Sequence, residues 1–146
     1  MIVREVMRED FSALLALYTH LHDNEMPVMT QTLKQIWEKI ISDENHHILV
    51  ACADDKIVSS CVLVIIPNLT HEQRPYALIE NVITHPEYRK QGYASRVLQR
   101  AKEIAYSNHC YKMMLMTGSK EDDTLRFYEQ AGYNRKDKMA FIQWLD

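Results

Sequence analysis

The spacing of apolar positions changes repeatedly along the chain, and each change marks a predicted element. "IVREV" alternates and predicts a short strand. Phe11, Leu14, Leu15, Tyr18 and Leu21 then recur three and four apart, which predicts a first helix over about 9–21. "HDNEMPVM" is polar, contains a proline and reads as a loop, and "TLKQIWEKII" resumes the helical spacing. "HHILVACADDKIVSSCVLVII" holds two apolar runs around Asp54-Asp55-Lys56, the signature of a β-hairpin. Pro67 ends the second run. After the loop "NLTHEQRP", "YALIENVIT" is a third β-branched run, stopped by His85-Pro86. Beyond Gly92, the residues Ala94, Val97, Leu98, Ala101 and Ile104 or Ala105 fall on one helix face. "YKMMLMT" predicts a strand, although methionine is a modest strand former. "DDTLRFYEQAG" predicts a helix with Gly132 just past its end, and "KMAFIQWL" predicts a last strand.

The predicted order is therefore β-α-α-β-β-β-α-β-α-β. A meander followed by alternating helices and strands indicates an α/β protein with a mixed sheet and helices on both faces. The strand–helix–strand unit from "LIENVIT" to "YKMMLMT" is expected to be a parallel, right-handed crossover.

Composition narrows the class. At 146 residues the chain is expected to be a single domain spanning 1–146. Apolar residues make up 47% and charged residues 25%, ordinary values for a soluble globular protein. A net charge of −3 argues against nucleic acid held by a general positive field. No stretch is long and apolar enough to predict a membrane span, and the charged start "MIVREVMRED" is unlike a signal peptide. Cys52, Cys61 and Cys110 are odd in number and lack C-x-x-C spacing, so three buried thiols in a reducing cytoplasm are expected.

The chain has only three glycines, and one stands in "HPEYRKQGYAS", between cations and a helix start. A helix that begins straight after a strand offers unpaired N–H groups and the positive end of its dipole to an anion. Without a Cβ, Gly92 lets a phosphate approach the backbone, and Ala94 is nearly as small. Arg89, Lys90 and Arg96 add charge. The stretch reads as a diphosphate cradle or, more plainly, as a charged loop whose tight turn needs Gly92. It is neither a P-loop nor a dinucleotide fingerprint, because G-K-[ST] and G-x-G-x-x-G are both missing.

Strand, "HPEYRKQGYA", helix, strand and "FYEQAGY" together resemble the GNAT superfamily of N-acetyltransferases. Arg89, Gln91, Gly92 and Ala94 match its [QR]-x-x-G-x-[GA] segment. The resemblance implies a mixed sheet of about six to seven strands, splayed between its two parallel central strands, here those ending at Thr84 and Thr117. It implies acetyl-CoA as acyl donor and no metal. Backbone amides around Arg89, Lys90, Gln91, Gly92, Tyr93, Ala94 and Ser95 would hold the pyrophosphate, and Val82, Ile83 and Thr84 would pair with the pantetheine arm. Tyr128 of "RFYEQAGY" would protonate the departing thiolate. One position departs from the pattern: many relatives carry asparagine seven residues before that tyrosine, and Glu121 stands there, with Lys120 beside it.

The chemistry needs an amine that loses a proton, a polarised thioester carbonyl and a protonated leaving thiol. A thiol pKa near ~8.5 and a phenol pKa near ~10 are close enough for assisted transfer. An amide near Val82 or Ile83 would face the developing oxyanion. Glu80, an acid inside an apolar strand, is the candidate base. Strict alternation puts Glu80, Val82 and Thr84 on one face and Asn81 and Ile83 on the other. A bulge would change this, which leaves Asn81 a rival for the cleft. An ion pair is the alternative role for Glu80, and core packing the alternative for Tyr128. His20 and His22 are two apart on a helix and do not share a face. Asp23 and Glu25, in the first interhelical loop, could draw a cation or simply be solvated. The expected function is transfer of an acetyl group to a small-molecule primary amine in a ternary complex. Acetylation of a protein or peptide amine, and a non-catalytic acyl-CoA-binding module, stand as alternatives. A cytoplasmic protein without nucleic-acid or membrane partners is expected, and a homodimer is left open.

Overall fold

The two longest apolar runs pair with each other and form the spine of the sheet. In the computed structural model, which describes residues 1–22 and 24–146, β2 (His46–Ala53) and β3 (Lys56–Ile66) are antiparallel. They join at Asp54 and Asp55, whose φ angles are 48° and 65°. A two-residue turn with both φ positive has the twist that a hairpin needs, and aspartate is among the few residues that tolerate it. β1 (Ile2–Glu5) adds antiparallel to β2, and β4 (Tyr76–Thr84) adds antiparallel to β3. β5 (Met113–Leu115) lies parallel to β4, giving the order β1-β2-β3-β4-β5. The expected parallel unit is present, with α3 (Tyr93–Ser107) as its connection.

Helices cover both faces. On one side α1 (Phe11–Tyr18) and α2 (Gln31–Ile41) bring Leu14, Leu17 and Trp37 onto Ile48, Val50, Cys52, Val62 and Ile83. Phe11 stacks on Trp37 with ring centroids 4.6 Å apart, and the Trp37 indole N–H donates to the Arg8 carbonyl at 3.1 Å. Thr30 caps α2 by accepting from the Leu33 N–H at 3.1 Å. On the other side α3 lays Val97, Leu98, Ala101, Ile104 and Ala105 on Leu49, Cys61, Leu63, Ala77 and Ile79, and α4 (Asp122–Gln130) packs Phe127 and Tyr128 against the same cluster. Because both faces are covered, β2 and β3 read as continuous apolar runs instead of alternating ones. At the entry to α1, the Arg4 guanidinium reaches Asp10 at 2.6 Å, and the Met7 N–H donates to the same carboxylate at 2.7 Å.

Three expectations need correcting. Among the described residues the sheet has five strands, not six or seven. The missing strand is "KMAFIQWL": 138–145 form no strand, and Met139, Phe141, Trp144 and Leu145 are 81%, 87%, 84% and 93% exposed. An alternating run becomes a strand only where a backbone edge receives it, and this segment does not lie along β5. Cys110 is half-buried, whereas Cys52 and Cys61 are buried as expected, and all three thiols are free. No helix among the described residues is long and apolar enough to cross a membrane.

Candidate active site

β4 and β5 stay together for only three residue pairs, Ala77 with Met113 through Ile79 with Leu115. Directly beyond, the ladder between β3 and β4 slips. Glu80 pairs with Val62 and Ile83 with Ser60, so Asn81 and Val82 together oppose Cys61 alone. Asn81 takes a left-handed φ of 51°, which asparagine tolerates better than a branched residue. This is a β-bulge, and it shifts the phase of the strand. Val82 packs with Ile79 toward α3, while Ile83 packs toward α1 and α2. Glu80 shares the α1/α2 face through its cross-strand partner Val62. The expectation that Glu80, Val82 and Thr84 share one face is therefore overturned by the extra residue. Glu80 and Asn81 are both exposed, so the bulge does not hide either. Among the described residues Glu80 forms no ion pair, which removes the support for a purely structural acid.

The bulge also decides which backbone groups are free. The His85 N–H donates to the Val58 carbonyl at 2.8 Å. Antiparallel bonding alternates, so Ile83 and Ser60 form the next bonded pair, and the Ile83 amide points into the sheet. By the same alternation Thr84 turns its amide the other way. The Thr84 carbonyl accepts from Arg89 Nε at 3.3 Å, and the Ile83 carbonyl accepts from Ser59 Oγ at 3.0 Å. Of the three predicted pantetheine contacts, Val82 and Thr84 are half-buried and Ile83 is buried, 7% exposed.

The chain runs from this edge into α3. His85 opens a turn of 3-10 helix at Pro86–Tyr88, and Gly92 occupies the N-cap of α3 with φ 88° and ψ 2°. That left-handed conformation requires glycine on backbone grounds alone. A Cβ built on Gly92 would meet nothing within 4 Å, so the space above it is open. The first intrahelical acceptor used is the Gly92 carbonyl, taken by the Arg96 N–H at 3.2 Å. The N–H groups of Tyr93, Ala94 and Ser95 thus lack helical partners, at the positive end of a helix of 15 residues. Arg89, Lys90, Gln91, Ser95 and Arg96 are exposed around them, while Tyr93 and Ala94 are half-buried. The turn is held from behind: Gln91 Nε2 donates to the Glu87 carbonyl at 3.2 Å, and the Tyr93 ring sits edge-on to Tyr88 at 5.9 Å.

Tyr128 comes from α4 on the α3 side of the splay. The end of that helix fixes it. The Gly132 N–H bonds the Glu129 carbonyl at 3.0 Å, and the Tyr133 N–H bonds the Tyr128 carbonyl at 3.1 Å. This is a Schellman ending, with Gly132 at φ 103°. It folds the Tyr133 ring back onto Tyr128, with centroids 6.3 Å apart and planes at 89°. Burial raises the Tyr128 phenol above its ordinary value, and the buried Cys61 thiol nearby pushes the same way. Burial pushes Tyr133 up to about 12 and Cys61 up to about 12 as well. Every acidic group in this cluster is neutral at neutral pH, and Tyr128 holds a proton it can donate.

The acetyltransferase (GNAT) family matches residues 8–133. The chain belongs to that family of N-acetyltransferases. A glucosamine 6-phosphate N-acetyltransferase of Trypanosoma brucei brucei is 34% identical over 83 residues, 57% of this chain and 54% of the relative. This chain thus matches about half the length of that curated relative. A solved chain from Agrobacterium tumefaciens str. C58, bearing a provisional acetyltransferase name, is 33% identical and superposes with a TM-score of 0.91 over 99% of this chain and 100% of its own. The glucosamine-6-phosphate N-acetyltransferase of Arabidopsis thaliana superposes at 0.87 over 99% of this chain and 98% of its own, but at 20% identity that likeness shows the fold alone.

Other family expectations meet a mixed fate. Glu121, where many GNAT relatives carry asparagine, is the N-cap of α4, and Asp122 and Asp123 follow in the first turn. Three acids at a helix N-terminus complement its dipole, so this position serves the helix here. Glu25 is exposed, and Asp23 lies outside the described residues. Among the described residues no cluster of three or more His, Cys, Asp and Glu side chains could hold a metal. Two cavities lie away from the splay, one of about 220 Å³ beside Glu5, Ile41 and His47 and one of about 430 Å³ beside Arg74, Tyr106 and Cys110. One residue escaped the sequence reading. Tyr18 presents a buried hydroxyl with no hydrogen-bond partner. Burial pushes this phenol up to about 12, against the pull of Ser60 and Asn81, which lie near it. On sequence alone Tyr18 is one more apolar position of α1. Only the bulge brings Asn81 to it.

Proposed function

We propose that this protein, as one acetyltransferase domain over residues 1–146, transfers the acetyl group of acetyl-CoA directly to a small primary amine in a ternary complex. The observation that carries the reading is the unpaired edge of β4 beyond Ile79, which leads into the open N-terminus of α3 at Gly92. An extended arm that ends in a diphosphate fits that path. Its amides would satisfy Val82 and Thr84, and its phosphates would meet the N–H groups of Tyr93, Ala94 and Ser95 beside Arg89, Lys90 and Gln91. Acetyl-CoA supplies a thioester whose carbonyl an amine can attack.

This chain's residues then have separable tasks. A backbone N–H near Val82 stabilises negative charge on the carbonyl oxygen. Tyr128 holds a proton for the leaving sulfur. Its raised pKa keeps the phenol neutral and also makes it a weaker acid, so it works by donating a hydrogen bond as the thiolate forms. An alkylamine with pKa near ~10.4 arrives protonated at neutral pH. Glu80, exposed and unpaired across the sheet from the donor, attracts that cation and takes its proton directly or through water. The amino-sugar phosphate in the name of the Trypanosoma relative supports a small polar amine over a peptide.

The test is thiol release from acetyl-CoA against a panel of amino sugars, amino-sugar phosphates, polyamines and lysine peptides. Turnover with at least one small amine is expected, and binding of acetyl-CoA without turnover of any amine would leave only an acyl-CoA-binding module. Glu80→Gln should depress kcat/KM most at neutral pH and recover in part as alkaline pH frees the amine. A uniform loss at every pH would move the base elsewhere.

A further inference from the structure

Two consecutive side chains of β4 share a face where an ordinary strand would divide them. Glu80 stands on the α1/α2 side through its cross-strand partner Val62. Alternation would send Asn81 to the α3 side, but its φ of 51° and the extra residue of the bulge turn it back. The Asn81 carboxamide lies near the hydroxyl of Tyr18, which comes from α1. Glu80 and Asn81 are both exposed, so a carboxylate and a carboxamide stand side by side on one face. Consecutive Cα atoms are ~3.8 Å apart, the scale of a nitrogen and an oxygen on neighbouring carbons of a ligand.

Behind Asn81 the interior is polar where a core is normally apolar. Ser60 of β3 is fully buried, and its Oγ donates to the Leu49 carbonyl at 2.8 Å. The Tyr18 hydroxyl comes to the same spot, is shielded from solvent and has no partner among the described residues. A buried donor without an acceptor is costly, and such a group in a native protein calls for an explanation. Ser60 is held by Leu49. Asn81 stands at the surface, and turning its amide about the last side-chain bond would bring Oδ1 to the Tyr18 O–H. The same turn aims the two Nδ2 protons outward, beside the Glu80 carboxylate.

We propose that Asn81 determines acceptor specificity and that Tyr18 is the positioning residue behind it: the Tyr18 O–H holds the Asn81 oxygen, and Nδ2 donates to a hydroxyl on the carbon next to the acceptor's amine. This rests on the reading of the protein as an amine acetyltransferase. Glu80 takes the ammonium and Asn81 the neighbouring hydroxyl, so the acceptor class is a vicinal amino alcohol, preferred over a plain alkylamine such as a polyamine or a lysine side chain. The Tyr18 hydroxyl is too deeply buried to touch the acceptor and acts through Asn81 alone.

The test compares kcat/KM for trans-2-aminocyclohexanol and cyclohexylamine, with amino sugars, polyamines and lysine peptides alongside. A neighbouring hydroxyl also lowers the amine's own pKa, so the preference is read as a ratio between wild type and variants, for which the amines are the same. Tyr18→Phe removes the hydroxyl and keeps the ring. Asn81→Gly removes the carboxamide and keeps the left-handed backbone. Each should reduce the preference for the amino alcohol by about two- to tenfold, the worth of one neutral hydrogen bond, through a higher KM for that amine. Tyr18→Phe should keep its melting temperature and its affinity for acetyl-CoA. A preference unchanged in both variants would overturn the proposal, and one lost only in Asn81→Gly would remove Tyr18 from it. An equal loss for both amines in Tyr18→Phe would mark a merely structural role and overturn it as well, as would turnover confined to polyamines or lysine peptides. Acetyl-CoA binding without thiol release to any amine would sink the transfer reading itself, and this proposal with it.

Discussion

Replacing Gly92 by alanine separates what this residue does for the fold from what it does for a ligand. With φ at 88°, an L-residue at this position is strained by about 1–2 kcal/mol. The new Cβ meets nothing within 4 Å, so no steric term adds to that. For a chain of this size each kcal/mol moves the melting temperature by about 2–4 °C, so Gly92→Ala should melt roughly 2–8 °C below wild type. Its effect on acetyl-CoA should be larger. In the proposed site a diphosphate lies close to the Gly92 backbone, and a Cβ there would crowd it. Losing one charge-assisted hydrogen bond costs about 1.5–3 kcal/mol, a roughly ten- to hundredfold rise in Kd. Gly132 is the built-in control. Its φ is 103°, and a Cβ there also meets nothing within 4 Å, so Gly132→Ala should lose similar stability. It lies at the far end of α4 and should leave Kd for acetyl-CoA unchanged. Melting curves and titration calorimetry on both variants decide the matter. If the two weaken binding equally, or Gly92→Ala binds as wild type does, α3 is not the phosphate site.

Tyr128→Phe keeps the half-buried ring and deletes the hydroxyl; kcat should fall by about 10²–10⁴ with little change in melting temperature, and a wild-type kcat would make Tyr128 a packing residue. Tyr18→Phe removes a buried hydroxyl that has no partner, so denaturant titration should show unchanged or higher stability, by up to about 1–3 kcal/mol; a clear loss would mean that the hydroxyl is bonded in solution. Asp10→Asn should cost about 1.5–3 kcal/mol. The hydrogen bond from Arg4 holds the Asp10 carboxylate below its ordinary pKa, so its contribution is full above the unfolded carboxylate value and is lost as pH falls through the lower folded one. Acid titration of wild type against this variant measures it. At the other limit Tyr18 and Tyr133 are pushed from 10.0 to about 12; their neutral forms favour the fold, so stability should hold below pH 10 and fall as pH rises from there toward 12.

The order of elements was legible because the covering helices impose two clear periods, and because Pro67, Pro86 and Gly132 punctuate the chain where the backbone changes course. Val97, Leu98 and Ala101 of α3 pack where their spacing says. The turn at Gly92 was legible for a related reason: a left-handed N-cap calls for a glycine in the sequence. The faces of β4 were not. Alternation counts residues, and nothing in "LIENVIT" announces that Asn81 adopts a positive φ, so the count runs one residue out of step beyond it. The segment at 138–145 shows the opposite limit. Its pattern predicts a strand, but a strand needs an edge to pair with, and this segment pairs with none. Tyr18 was missed because a tyrosine on an apolar helix face is indistinguishable from core until its hydroxyl is seen without a partner.

In the proposed reaction, the phase shift at Asn81 would separate the approaches of the two substrates. Upstream of it Glu80 opens toward the α1/α2 face, and downstream Val82 turns toward α3 and the amides of the cradle. A donor and an acceptor using these groups come from opposite sides of the sheet and touch only across its edge. Neither must leave before the other arrives. Such a layout predicts initial-velocity lines that intersect when both substrates are varied, and product inhibition in which the free thiol competes with the donor while leaving the acceptor's doorway unobstructed.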